Sequence, residues 1–137
     1  MEEEESVGQR IIGCALKVHS ALGPGLLEST YETCLAHELG KVDLDVKRQL
    51  PLPVAYDGLD LDAGYRIDLL VGDCVVVELK SVERLLPLHL SQVLTYLKLS
   101  GVRLGYLLNF NVPRMKQGIR RVILSNSHLR APSRPSR

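Results

Sequence analysis

Apolar residues recur along this chain at two different periods. Val7, Ile11, Ile12, Ala15, Val18 and Leu22 fall at helical spacing, and Ser6 stands where a cap for that helix belongs. Gly23-Pro24-Gly25 stops it. A second helix is predicted over 26–39, with Leu27, Tyr31, Cys34 and Leu35 as its inward stripe. The period then shortens. Residues 46–56 read as a strand, and Pro51 and Pro53, which cannot donate to a ladder, make it an edge strand or one that bends midway. Asp57-Gly58 is a turn leading into the apolar arm 65–71, and Gly72-Asp73 links that arm to a second, 74–80. After Pro87 a helix over 88–100 carries Leu90, Val93, Leu94 and Leu97 as its core stripe, with Gly101 closing it. Residues 102–110 are apolar enough for a central strand, and 119–124 form a shorter edge strand. The order α, α, β, β, β, α, β, β predicts an α/β fold, a mixed sheet flanked by helices.

Composition narrows this only slightly. A chain of 137 residues holds one core of reasonable size, expected over 6–124. Before it lies an acidic extension, 1–5, and after it a basic tail, 125–137, with no apolar pattern to anchor it, expected to be mobile. The net charge of +1 advertises no global nucleic-acid field, although basic residues gather in the last quarter. Cys14, Cys34 and Cys74 are odd in number and set among apolar neighbours, which fits reduced core cysteines better than a disulfide frame. The start is acidic where a signal peptide is basic, and no apolar run is long enough to span a bilayer. A cytoplasmic location without membrane contact is the expectation.

Candidate chemistry sits in the paired arms. Glu78 and Lys80 are two residues apart and point the same way, at the end of an otherwise apolar strand. Asp68 lies between Ile67 and Leu69 in the partner arm. Buried charges are costly unless they pair or bind a metal. A two-residue loop would set Ile67 opposite Glu78, whereas a loop of residues 72–74 sets Asp68 across from it. The longer loop is expected, because Gly72 readily enters the left-handed region. Two facing carboxylates offer hard oxygens to Mg²⁺ or Mn²⁺, and Lys80 stands one step along to stabilise developing charge. On the third helix His89, Gln92 and Tyr96 form a polar row beside the core stripe. Glu28 lies at the edge of the second helix's stripe, where position alone favours solvation.

These residues resemble the PD-(D/E)xK nuclease superfamily: Asp68, Glu78-x-Lys80, then a helix with Gln92-x-x-x-Tyr96. Gly25-x-x-Glu28-x-x-Tyr31 after Gly23-Pro24 is similar to its GxxExxY branch, as are Val18-His19, Gln49, 68–71 and 107–110. The likeness spans roughly 19–124 with its motifs in order; Ile67 stands where the superfamily often has proline. It implies a restriction-endonuclease-like fold, with Asp68 and Glu78 as metal ligands and the Leu79 carbonyl as a further donor. It also implies that Lys80 is the catalytic lysine and that Glu28 completes the acidic site, against the solvated reading. Gln92 and Tyr96 would line the site. His19, Tyr31 and His89 are secondary candidates, with Tyr31 read first as a core aromatic whose hydroxyl finds a partner.

The expectation is therefore a Mg²⁺- or Mn²⁺-dependent nuclease acting through a metal-activated water, with DNA ahead of RNA as substrate. A homodimer joined at an edge strand is carried with it, since enzymes that cut duplex often act in pairs. Two alternatives remain open: a non-catalytic module binding nucleic acid or protein, and a hydrolase of another phosphate ester.

Overall fold

Val7, Ile11, Ala15 and Val18 are buried along one stripe of the first helix, α1, which in this computed structural model spans Glu2–Leu22. The structure describes residues 1–125, so the tail predicted from residue 125 lies, beyond Ser125 itself, outside the described residues. Helix α1 begins four residues before the Ser6 cap expected from sequence. Glu2, Glu3, Glu4 and Glu5 fill its first turn, where free N–H groups and the positive end of the helix dipole favour carboxylates. Leu22, expected in the stripe, is exposed.

Helix α2, Glu28–Lys41, starts later than predicted, and Leu27 stands at its cap, 73% exposed. The inward stripe is Tyr31, Leu35 and Leu39. Among the described residues seven strands and one more long helix follow: β1 Val46–Pro51, β2 Val54–Tyr56, β3 Leu59–Leu61, β4 Arg66–Val71, β5 Val75–Lys80, α3 Pro87–Ser100, β6 Leu104–Asn109 and β7 Ile119–Ile123, with a short 3-10 turn, Met115–Gly118, before the last.

The main sheet has the order β1-β4-β5-β6-β7, so β1 and β7 are its edges, as expected. Helix α3 carries the chain between the parallel neighbours β5 and β6; the remaining pairs are antiparallel. The strand predicted over 46–56 is two. At Leu52 the chain turns inward, its N–H donating to the Tyr65 carbonyl at 2.9 Å, and Pro53 has no N–H with which to extend the ladder. Val54 then pairs with Leu61 in a separate β2–β3 hairpin around Asp57-Gly58. The order is thus ααβββββαββ rather than ααβββαββ, while the mixed sheet between helices stands.

Two apolar cores cover the sheet. Helices α1 and α2 pack on one face over Leu69, Val71, Val77 and Tyr106. On the other, Val93, Tyr96 and Leu97 of α3 pack over Ile67, Val76 and Leu107. No helix among the described residues is long and apolar enough to cross a membrane.

Candidate active site

The β4–β5 hairpin closes through the three-residue loop 72–74. Gly72 and Asp73 have φ of 59° and 56°, and the Cys74 N–H donates to the Val71 carbonyl at 3.1 Å. Pairing runs Val71↔Val75, Leu70↔Val76, Leu69↔Val77. One step further along that register come Asp68 and Glu78. There side chains take over from the ladder: the Asp68 N–H donates to Glu78 Oε2 at 2.9 Å, and the Leu79 N–H donates to Asp68 Oδ2 at 2.9 Å. Each carboxylate grips the other strand, which leaves both at the point where the strands part.

The neighbouring strand is interrupted at the same level. β1 pairs with β4 from Val46↔Val71 to Arg48↔Leu69 and resumes at Leu50↔Ile67, passing over Gln49 and Asp68. Gln49 has φ 50°, a left-handed conformation rare for a side chain of its kind. Across this break β4 turns over: Leu69 and Val71 pack toward α1 and α2, whereas Ile67 packs toward α3. The Gln49 amide donates to Asp68 Oδ1 at 3.2 Å and to Glu32 Oε1 at 2.7 Å. Glu32 is buried and also receives Arg48 Nε at 3.0 Å. Such partners fix a functional carboxylate's orientation.

Glu78 is 4% exposed, and its pKa is pushed up to about 8, first by burial and then by the Asp68 charge; Lys80 offsets only part of this. The same burial, with the Glu78 charge beside it, raises the Tyr96 hydroxyl. Among the described residues the Lys80 amine makes no hydrogen bond or ion pair.

Two clefts flank this carboxylate clasp. One, of about 560 Å³, is lined by Glu28, Glu32, Gln49, Asp68, Leu79 and Ser81, among others. In it Glu28 Oε2 accepts the Ser81 N–H at 3.2 Å, and the Ser81 hydroxyl donates to the Leu26 carbonyl at 2.6 Å. The other, of about 610 Å³, is lined by Tyr65, Lys80, His89, Gln92, Thr95 and Tyr96, among others. There Gln92 Nε2 donates to the Tyr96 hydroxyl at 3.2 Å, and His89 Nδ1 accepts the Leu86 N–H at 3.0 Å.

The expected site residues fall around the clasp as follows. Asp68 and Glu78 meet, Glu28 and Leu79 share a cleft with Asp68, and Lys80 opens into the other cleft with Gln92, Tyr96 and His89. His19 and Tyr31 line neither cleft. His19 Nε2 meets the Val112 carbonyl at 2.8 Å. The Tyr31 hydroxyl donates to the Gly23 carbonyl at 2.6 Å and accepts the Leu26 N–H at 3.1 Å, while its ring stacks on Phe110 at 4.5 Å. Tyr31 thus holds the loop that delivers Glu28. Glu32, Ser81 and Tyr65 went unnoticed in the sequence. Glu32 had one available signal, a spacing of four from Glu28, which sets both on one helical face.

Among the described residues no three His, Cys, Asp or Glu side chains are grouped to hold a metal. The chemistry of the clasp nonetheless suits a hard divalent cation. Mg²⁺ is commonly held by one or two carboxylates, with waters and substrate phosphate completing its shell. Glu78 is a buried acid beside a second acid, with no ion pair among the described residues, and a cation would relieve that cost.

Set against known proteins, the chain matches a family model described as the PD-(D/E)XK nuclease superfamily over residues 5–122. No curated protein and no solved structure matches it.

Proposed function

The chain belongs to the PD-(D/E)XK nuclease superfamily, whose members are generally nucleases, and from that premise we propose that it is a divalent-metal-dependent nuclease. Its finer placement in the GxxExxY branch is part of the proposal, as are cytoplasmic location, homodimerisation through an edge strand, and DNA ahead of RNA as substrate. The observation that carries the reading is the clasp: carboxylates from β4 and β5 joined through each other's backbone, with Lys80 next on the Glu78 face.

Asp68 and Glu78 would hold Mg²⁺ or Mn²⁺. When bound, the cation supplies charge to offset the phosphate and lowers the pKa of water. Gln49 and the Leu79 N–H orient Asp68. Lys80, without a partner among the described residues, directs its ammonium at the phosphoryl oxygens, where it stabilises charge as the bond to the leaving oxygen lengthens. Gln92 and Tyr96 provide further donors at the same mouth. Glu28, tied to Ser81, keeps the opposite cleft acidic.

The test is cleavage of single-stranded, duplex and branched DNA, and of RNA, with Mg²⁺ or Mn²⁺ present, alongside calorimetric titration of the metal. Asp68→Ala and Lys80→Ala should each lower cutting by about a hundredfold or more while the fold persists. One rival, a module that binds without cutting, is favoured because no three His, Cys, Asp or Glu side chains among the described residues are grouped to hold a metal. No heat of binding at millimolar Mn²⁺, with no cleavage of any substrate, would decide for that rival.

A further inference from the structure

Resting on the nuclease reading, we propose that the cleft under α3 is a pocket for an unpaired nucleobase, so that the substrate is single-stranded or frayed nucleic acid rather than continuous duplex. Its volume of about 610 Å³ falls within the range of preformed small-molecule sites. Val54, Leu88 and Leu99 give apolar walls, and the aromatic surface comes from Tyr65. Tyr65 is 49% exposed, and its ring is held edge-on by Tyr96, with centroids 6.5 Å apart and planes at 62°. A tyrosine fixed by a second ring is a stacking platform whose geometry is already set in the free protein.

The polar groups suit a base edge. Gln92 brings an amide with both donor and acceptor, and Thr95 a hydroxyl. Lys80 lines the same cleft and interacts electrostatically with Glu78. A nucleoside stacked on Tyr65 would therefore place its phosphate beside the lysine and next to the Asp68–Glu78 clasp. A base inside a duplex presents no face to such a cleft until it is unstacked. The net charge of +1 supplies no broad cationic field to grip two phosphate backbones in compensation.

Binding separates this proposal from cutting. Fluorescence anisotropy of labelled oligothymidylate and of a closed hairpin duplex, without divalent metal, would be measured for wild type, Tyr65→Ala, Tyr65→Phe and Thr95→Trp. Asp68→Asn serves as the background wherever cutting interferes. Oligothymidylate should bind more tightly than the duplex. Tyr65→Ala should weaken it about tenfold or more, and Tyr65→Phe should restore it. Thr95→Trp, an exposed position whose indole fills the cleft, tests occupancy without touching the platform and should weaken it likewise. Duplex affinity equal to single-strand affinity, or unchanged single-strand binding in either Tyr65→Ala or Thr95→Trp, would overturn the pocket. Cutting by a Tyr65→Ala variant that binds normally would remove the pocket and spare the nuclease. Tyr65-dependent binding with no cutting under any metal would do the reverse.

Discussion

Burial and the neighbouring Asp68 charge make the ionised form of Glu78 costly, and that cost has a readable pH dependence. Its folded pKa of about 8 exceeds the ordinary carboxylate value of 4.5. Between those values the folded chain keeps a proton that the unfolded chain has lost. In the metal-free protein stability is therefore expected to fall as pH rises from about 4.5 to about 8 and then level off. Glu78→Gln should flatten that slope and recover on the order of a few kcal/mol at pH 8, as read by urea denaturation across pH. Divalent affinity in the wild type should climb over the same window, since the ligand must be ionised. Gln49 makes a complementary case. Alanine there loses both hydrogen bonds to Glu32 and Asp68, so divalent affinity should drop about 10–100-fold and stability should fall by about 1–3 kcal/mol, both seen by calorimetry. Asp68, Glu78 and Lys80 could be read from sequence because charge in an apolar strand is anomalous in any fold. Glu32 could not, because an acid on an amphipathic helix is ordinary until Arg48 and Gln49 are known to surround it.

Two crossings hold the elements in place around the clasp. The Tyr31 hydroxyl ties down the Gly23–Leu26 loop ahead of Glu28. Tyr31→Phe keeps the stack on Phe110 but should cost about 1–2 kcal/mol of stability, measured by chemical unfolding. Near the other end of the site, Gly118 passes so close to β6 that a Cβ there would collide with the Asn109 carbonyl oxygen. Gly118→Ala must push the strand away and should destabilise by more than about 2 kcal/mol. Asn109 is the residue displaced, and its amide bridges the chain after Lys80 through Val82. Most elements were legible, since burial on one or both faces writes its period into the residues. Element ends were less so. The start of α1 depends on glutamates that carry no apolar signal, and the division of 46–56 depends on where Leu52 finds its core.

For the whole molecule, the balance of charge matters more than any one residue. With a net charge of +1, nucleic-acid affinity should weaken only gently with added salt, with a slope matching about one to three phosphate contacts. Anisotropy titrations over a range of salt concentrations would check this; a steep slope would point to a cationic surface beyond the two clefts. One cleft is lined by Glu28, Glu32 and Asp68 and the other by Lys80, Gln92 and Tyr96, while Glu78 joins Asp68 and interacts electrostatically with Lys80.

Taken alone, the sequence determined the helices and strands, the three-residue hairpin loop and the pairing of Asp68 with Glu78. All of these are governed by residues near one another in the chain and by the two-residue alternation of a strand. Tertiary structure decided the β2–β3 hairpin, the Gln49–Glu32 support and the tie between Glu28 and Ser81. Those depend on how β1 meets β4 across the intervening residues 52–65, and on backbone strain at one residue. Local periodicity carries no record of either.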